Sequence, residues 1–270
     1  MAEGEIVYVA AVPPASLDAD LINGVAGVIG KDAYQTRLLM VGVLPRIVAR
    51  CTGMQTAESM ARQLKALKLV TIVSKEEELR KPHHSLRAQT MKFVGGEVAF
   101  HQADGREITL RPRDVFLMIK GMRPYSPAEE APIEEEQEKP RRKLNVKATL
   151  MTGGIPIFTK GKVKSKAADP QAEWFVRLYG RSSPEPSAEI LQHAVNYAFL
   201  EAEMAASSIT NFMSVVNRLR KAFPQAFLDE RLVRSFGTDI PATSDEEDIE
   251  INCRLIYLHH LAVSGSKPAA

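Results

Sequence analysis

The sequence predicts an α+β protein in two parts. A β-α-α-β-α-β unit occupies residues 1–75, and a sheet-rich, barrel-like part over 90–230 ends in an amphipathic helix. Two observations predict this. Residues 43–73, "VLPRIVARCTGMQTAESMARQLKALKLVTIV", run apolar strand, turn, amphipathic helix, apolar strand. From Thr90 the apolar pattern switches to alternation, the mark of strands with two different faces.

Within the first part, "IVYVAAV" at 6–12 is an apolar run of strand length, and Pro13-Pro14 stop it because proline offers no N–H to a ladder. Ser16 or Asp18 can cap the helix that follows, where Leu21, Ile22, Val25 and Val28-Ile29 recur at helical spacing. Gly30 ends it, since glycine takes the left-handed position after a helix at little cost. A second helix from Asp32 to about Met40 is expected to turn Ala33, Leu38 and Leu39 inward. "RIVARC" is the next strand, with Cys51 a small apolar filler in it. Gly53 and Thr56 introduce a helix that runs from Thr56 to Leu67. Ala57, Met60, Ala61, Leu64 and Leu67 form its stripe, with Glu58, Arg62, Lys65 and Lys68 mainly away from it. "LVTIV" closes the unit as a strand.

In order, lengths and turn positions, Glu5 to about Ser74 resembles the C-terminal domain of the bacterial ribosomal stalk protein. Gly30 stands where that family turns between its first two helices, and Arg37 where the second helix carries a lysine. The resemblance implies a domain that recruits proteins. That family holds translational GTPases with basic residues along its first helix, where this sequence has Asp18, Asn23 and Ala26. Without that charge, attraction to an acidic partner face is lost. The expectation is the fold without that ligand, with Arg37, Arg62 and Lys65 as candidates for contact with a different protein.

Residues 76–89 read as a charged linker interrupted by Pro82. Adjacent His83 and His84 point to opposite sides of an extended chain, with no further ligand near, so a metal site is not expected there. In "MKFVGGEVAFHQADGREITLRPRDVFLMIKGM", turns fall at Gly95-Gly96 and Asp104-Gly105, and Asp114 to Met122 reads as a further strand, favoured by Val115, Phe116, Leu117 and Ile119, with a short helix as the alternative. Residues 125–142 are rich in proline and glutamate and are expected to be a disordered insertion. "LNVKATLMT", "EWFVRLYGR" and "PSAEILQHAVNYAF" carry further strand signal, with Trp174 and Val176 to one side and Phe175 to the other. Ser207 or Ser208 caps a helix to about Phe223, with Ile209, Phe212, Val216, Leu219 and Phe223 as its stripe; Arg218, Arg220 and Lys221 suit its negative end. This element order is similar to that of a pleckstrin-homology-like barrel. Residues 231–270 read as an acidic tail with a short docked segment, "INCRLIYLHHLAV", strand or helix, whose His259-His260 pair has no ligand partner near in sequence.

Composition bounds the function. A chain of 270 residues with 45% apolar and 25% charged residues suits a globular protein, and a net charge of +2 gives no global pull toward nucleic acid or anionic lipid. Two cysteines fit a reducing cytoplasm, and no apolar run has the length of a membrane span. There is no Gly-x-Ser-x-Gly elbow, phosphate loop or dinucleotide fingerprint, so no nucleophile or nucleotide loop is legible and no cofactor is expected. His101, His193 and Asn196 converge only if the sheet brings them together. The expectation is a non-catalytic adaptor in a bacterial cytoplasm that binds an unidentified protein. A second reading is recruitment to anionic lipid or nucleic acid through Lys160, Lys162, Lys164 and Lys166, which align on one face if "KGKVKSK" is extended. A third is a divergent enzyme or regulator with its site between the two parts.

Overall fold

The apolar run at the N-terminus becomes the central strand of a small sheet, the one position that hides both of its faces. The computed structural model describes residues 5–125, 172–235 and 246–265. Strand β1 (Ile6–Ala11) lies between β2 (Arg46–Thr52) and β3 (Thr71–Lys75), antiparallel to both. Val7, Val9 and Ala11 face a core that they share with Val25, Met40, Ala57, Ala61 and Leu64. These come from α1 (Ala19–Ile29), α3 (Met54–Ala66) and the end of α2 (Ala33–Leu39). The expected order strand, helix, helix, strand, helix, strand is present.

Local chemistry sets the helix ends. Asp18 accepts from the Leu21 N–H and Asp32 from the Gln35 N–H, each at 2.7 Å, which satisfies N–H groups that a helix start leaves open. Gly30 ends α1 at φ +68°, where a side chain would be strained. The reading of α2 is corrected. Thr36 and Met40 are its buried positions, whereas Ala33 and Leu38 are exposed and Leu39 is half-buried. Thr36 can go inward because its hydroxyl donates to the Asp32 carbonyl at 2.8 Å, so no polar group is left open in the core.

The other face of the small sheet carries Tyr8, Ala10 and Ile72, packed with Leu79 of α4 (Glu76–Arg80) and Leu255 of α7 (Glu246–Gly265). The stretch expected as a charged linker therefore carries structure of its own: α4, anchored by buried Leu79, and then β4 (Leu86–Arg87). Likewise, the segment expected to dock briefly at the C-terminus is a 20-residue helix. Its opposite side buries Cys253, Ile256 and Tyr257 against a second sheet. A helix apolar on two sides is one that belongs between layers.

That second sheet has the order β11-β8-β9-β10-β4, with β8 (Leu117–Pro124), β9 (Ala172–Tyr179), β10 (Ala188–Leu191) and β11 (Phe227–Asp229). β8, β9 and β10 pair antiparallel, while the short edge strands β4 and β11 pair in parallel. Alternation along β9 sends Val176 and Leu178 into one core and Phe175 and Tyr179 into another, with Trp174 packed on the first. The first core is covered by α5 (Ser208–Ala222) and by a meander of β5 (Thr90–Val94), β6 (Glu97–His101) and β7 (Glu107–Leu110). α7 covers the second, together with Leu232 of the short α6 (Arg231–Ser235). Among the described residues these sheets are open and no barrel closes.

Smaller differences follow from local geometry. Pro112–Asp114 is a 3-10 turn, so β8 starts only at Leu117. Ser207 caps α5 as expected, but Ile209 in its first turn is exposed. Arg218 reaches back from α5 to Glu203 at 3.1 Å and to the carbonyls of Phe199 and Leu200, rather than facing the helix end. The insertion beyond Tyr125, "LNVKATLMT" and the lysine-rich run lie outside the described residues. No helix of the described residues is long and apolar enough to cross a membrane.

Candidate functional site

The rotation of α2 that buries Thr36 and Met40 turns two large apolar side chains outward. Tyr34 is 72% exposed and Leu38 58%. Four residues apart, they are neighbours on one face of the helix. Arg37 and Lys31 are exposed beside them on the same element and the turn before it, and neither forms an ion pair with a described residue. Tyrosine and arginine side chains are enriched at protein interfaces. Of the partner-contact residues expected from the sequence, Arg37 sits on this face. Arg62 and Lys65 are exposed on α3, a different helix.

The polar groups that look chemical are committed inside the fold. Arg177 of β9 is 1% exposed; its Nε donates to Glu189 at 2.7 Å and its two terminal nitrogens to Glu250 of α7 at 2.9 and 2.5 Å. His83 Nδ1 lies 2.8 Å from Glu250 Oε2, the oxygen that also accepts from Arg177 Nη1, and Arg87 Nε lies 3.4 Å from Glu189. Burial pushes the Glu250 carboxyl up, but the His83 hydrogen bond and the Arg177 charge outweigh it and bring it down to about 2. Arg123 and Glu173 form a second buried pair at 2.7 Å. Arg254, also buried, donates to the carbonyls of Glu78 and Lys81 and so closes the end of α4.

A third cluster lies where β11 meets α7. Asp229 accepts from Arg231 Nη2 at 2.7 Å and pairs with His260 Nε2 at 2.8 Å. Arg231 Nη2 also lies 3.1 Å from His259 Nδ1. A guanidinium only donates, so this ring nitrogen must accept and His259 is neutral there. Burial, with the positive Arg231 and the neighbouring His260, holds His259 down at about 4 against the opposing pull of Asp229. His259-His260 thus has partners that sequence distance hid, namely Asp229 and Arg231 on another element. The cluster saturates its charges: the one carboxylate is met by a guanidinium and an imidazole, which suits a structural corner.

The other expected residues have local tasks. His101 pairs with Glu107 at 3.3 Å, and Asn196 caps the 3-10 turn Tyr197–Glu203 by accepting from the Ala198 N–H at 3.0 Å. His84 and His193 are exposed. Lys160, Lys162, Lys164 and Lys166 lie outside the described residues. Among the described residues no group of three or more histidine, cysteine or acidic side chains is placed to hold a metal ion. The chain matches no known protein family, no curated protein and no solved structure.

Proposed function

We propose that the protein is a non-catalytic cytosolic adaptor that holds another protein on the exposed face of α2. Tyr34 and Leu38 are the apolar anchors, and Lys31 and Arg37 supply the charge around them. The observation that carries this reading is the outward placement of Tyr34 and Leu38 one turn apart, at 72% and 58% exposure, on a helix whose inner face is already satisfied by Thr36 and Met40. Two cations beside that pair, neither ion-paired with a described residue, favour a partner segment with an apolar side chain flanked by carboxylates. The resemblance in element order to a protein-recruiting domain supports a binding role, and the loss of basic residues along α1 moves the contact to α2. The committed ion clusters support holding rather than turnover, since their charges are met within the fold.

The test compares the full chain with Tyr34→Ser/Leu38→Ser as bait in the native cell extract. A captured protein supports the reading only when, purified, it binds the wild-type chain and loses at least about tenfold in affinity to the double variant and to Arg37→Glu. Equal affinity for all three chains contradicts it. So does sedimentation that shows two copies of the chain joined through α2, because that face is then closed to a partner.

A further inference from the structure

Where α5 ends and β11 begins, a cleft of about 670 Å³ opens in the surface. Sites for small molecules span roughly 300–1,000 Å³. Its apolar lining includes Phe223, Phe227 and Leu228, and its polar lining is Asn217, Arg220 and Lys221. Arg220 and Lys221 lie three and four residues beyond Asn217, so the three share one face of α5. Arg220 and Lys221 are exposed, and neither is ion-paired with a described residue. The carboxylates next to the cleft are already met: Asp229 by Arg231 and His260, and Glu230 by Lys120 at 2.5 Å. Glu203, the carboxylate that Lys221 acts on, is already met by Arg218 at 3.1 Å, so among the described residues the local field at the cleft is set by these two cations.

Phe227 supplies the second feature. It is 49% exposed, although its ring lies 5.5 Å from that of His260 at an interplanar angle of 31°. His260 is itself fixed by Asp229. The corner cluster thus holds an aromatic ring in place at the cleft edge with much of its surface open, so little ordering is required when another ring packs there.

We propose that this cleft binds a small molecule that joins a phosphate to an aromatic ring, the chemistry of a nucleoside monophosphate. Arg220 and Lys221 take the phosphate through charge-assisted hydrogen bonds, which outweigh the negative end of α5. Phe227 packs against the ring. Asn217, with both donor and acceptor on one amide, meets its polar edge. This site is independent of the α2 face, and either stands if the other fails.

Calorimetric titration of the full chain at low salt tests it, with adenosine monophosphate, guanosine monophosphate, adenosine and inorganic phosphate as probes. At least one nucleotide is expected to bind with a Kd of about 1 mM or tighter, and adenosine and phosphate each at least about tenfold more weakly. Arg220→Gln/Lys221→Gln and Phe227→Ala are each expected to lose at least about tenfold, with far-ultraviolet circular dichroism showing both variants folded. Overturning results are no nucleotide binding at about 1 mM, phosphate alone binding as tightly as a nucleotide, or affinity unmoved by these substitutions.

Discussion

Arg177 of β9 donates from both terminal nitrogens to the carboxylate of Glu250 on α7, at 2.9 and 2.5 Å, and so ties the C-terminal helix to the centre of the large sheet. Removing one member of a buried pair leaves the other charged without a partner, which costs more than the pair is worth over an apolar replacement. Glu250→Gln is expected to lose about 3 kcal/mol in urea unfolding at neutral pH. The same carboxylate sets an acid limit. Its folded value, about 2, lies below the ordinary 4.5, so its contribution is present in full above 4.5 and is lost as pH falls toward 2. In Glu250→Gln that part of the acid transition should flatten.

His259 acts in a different window. Burial, Arg231 and His260 hold it at about 4, against an ordinary 6.5, despite Asp229 nearby. Its neutral form is favoured by the fold, so its contribution is complete above 6.5 and is lost as pH falls through 4. Thermal midpoints of the wild type should drop across this range more steeply than those of His259→Gln. Parallel curves would show that the ring is not held neutral.

Gly121 on β8 is small because Phe175 needs its space. A Cβ there would stand 2.7 Å from the far end of the Phe175 ring and 3.0 Å from the Leu232 Cβ. Phe175 is fully buried, so its ring has nowhere to retreat. Gly121→Ala should destabilise by about 1–3 kcal/mol in denaturant titration, with the sheet retained in far-ultraviolet circular dichroism.

Both thiols are shielded. Cys51 and Cys253 are buried, and burial raises both, Cys253 to about 12 against the opposing charge of Arg177. A thiol held protonated and out of water reacts slowly. A disulfide reagent at mild alkaline pH should leave both unlabelled in the folded protein and modify both in urea.

What was legible in the sequence was what short-range pattern controls. Asp18 and Gly30 bound α1 because capping is local chemistry, and alternation along β9 splits Trp174 and Val176 from Phe175 because a strand has two sides. The inner face of α2 is not legible in the sequence, because Thr36 looks polar and is burial-ready only through its bond to the Asp32 carbonyl four residues back. α7 was ambiguous for the opposite reason: packed on two sides, it lacks the one-sided stripe that marks a surface helix. The Asp229 corner needed long-range information, since its carboxylate meets a histidine from another element. Of the candidate face, Arg37 is visible in the sequence as a charge, whereas the exposure of Tyr34 and Leu38 depends on the rotation of α2.

The most direct measurement is hydrogen–deuterium exchange of the full chain with and without its captured partner. Binding through the proposed face predicts slowed exchange over Ala33–Leu39 and the turn before it, with the amides of α3 and β11 unchanged. Protection confined to other elements, with α2 exchanging as in the free chain, would contradict the account.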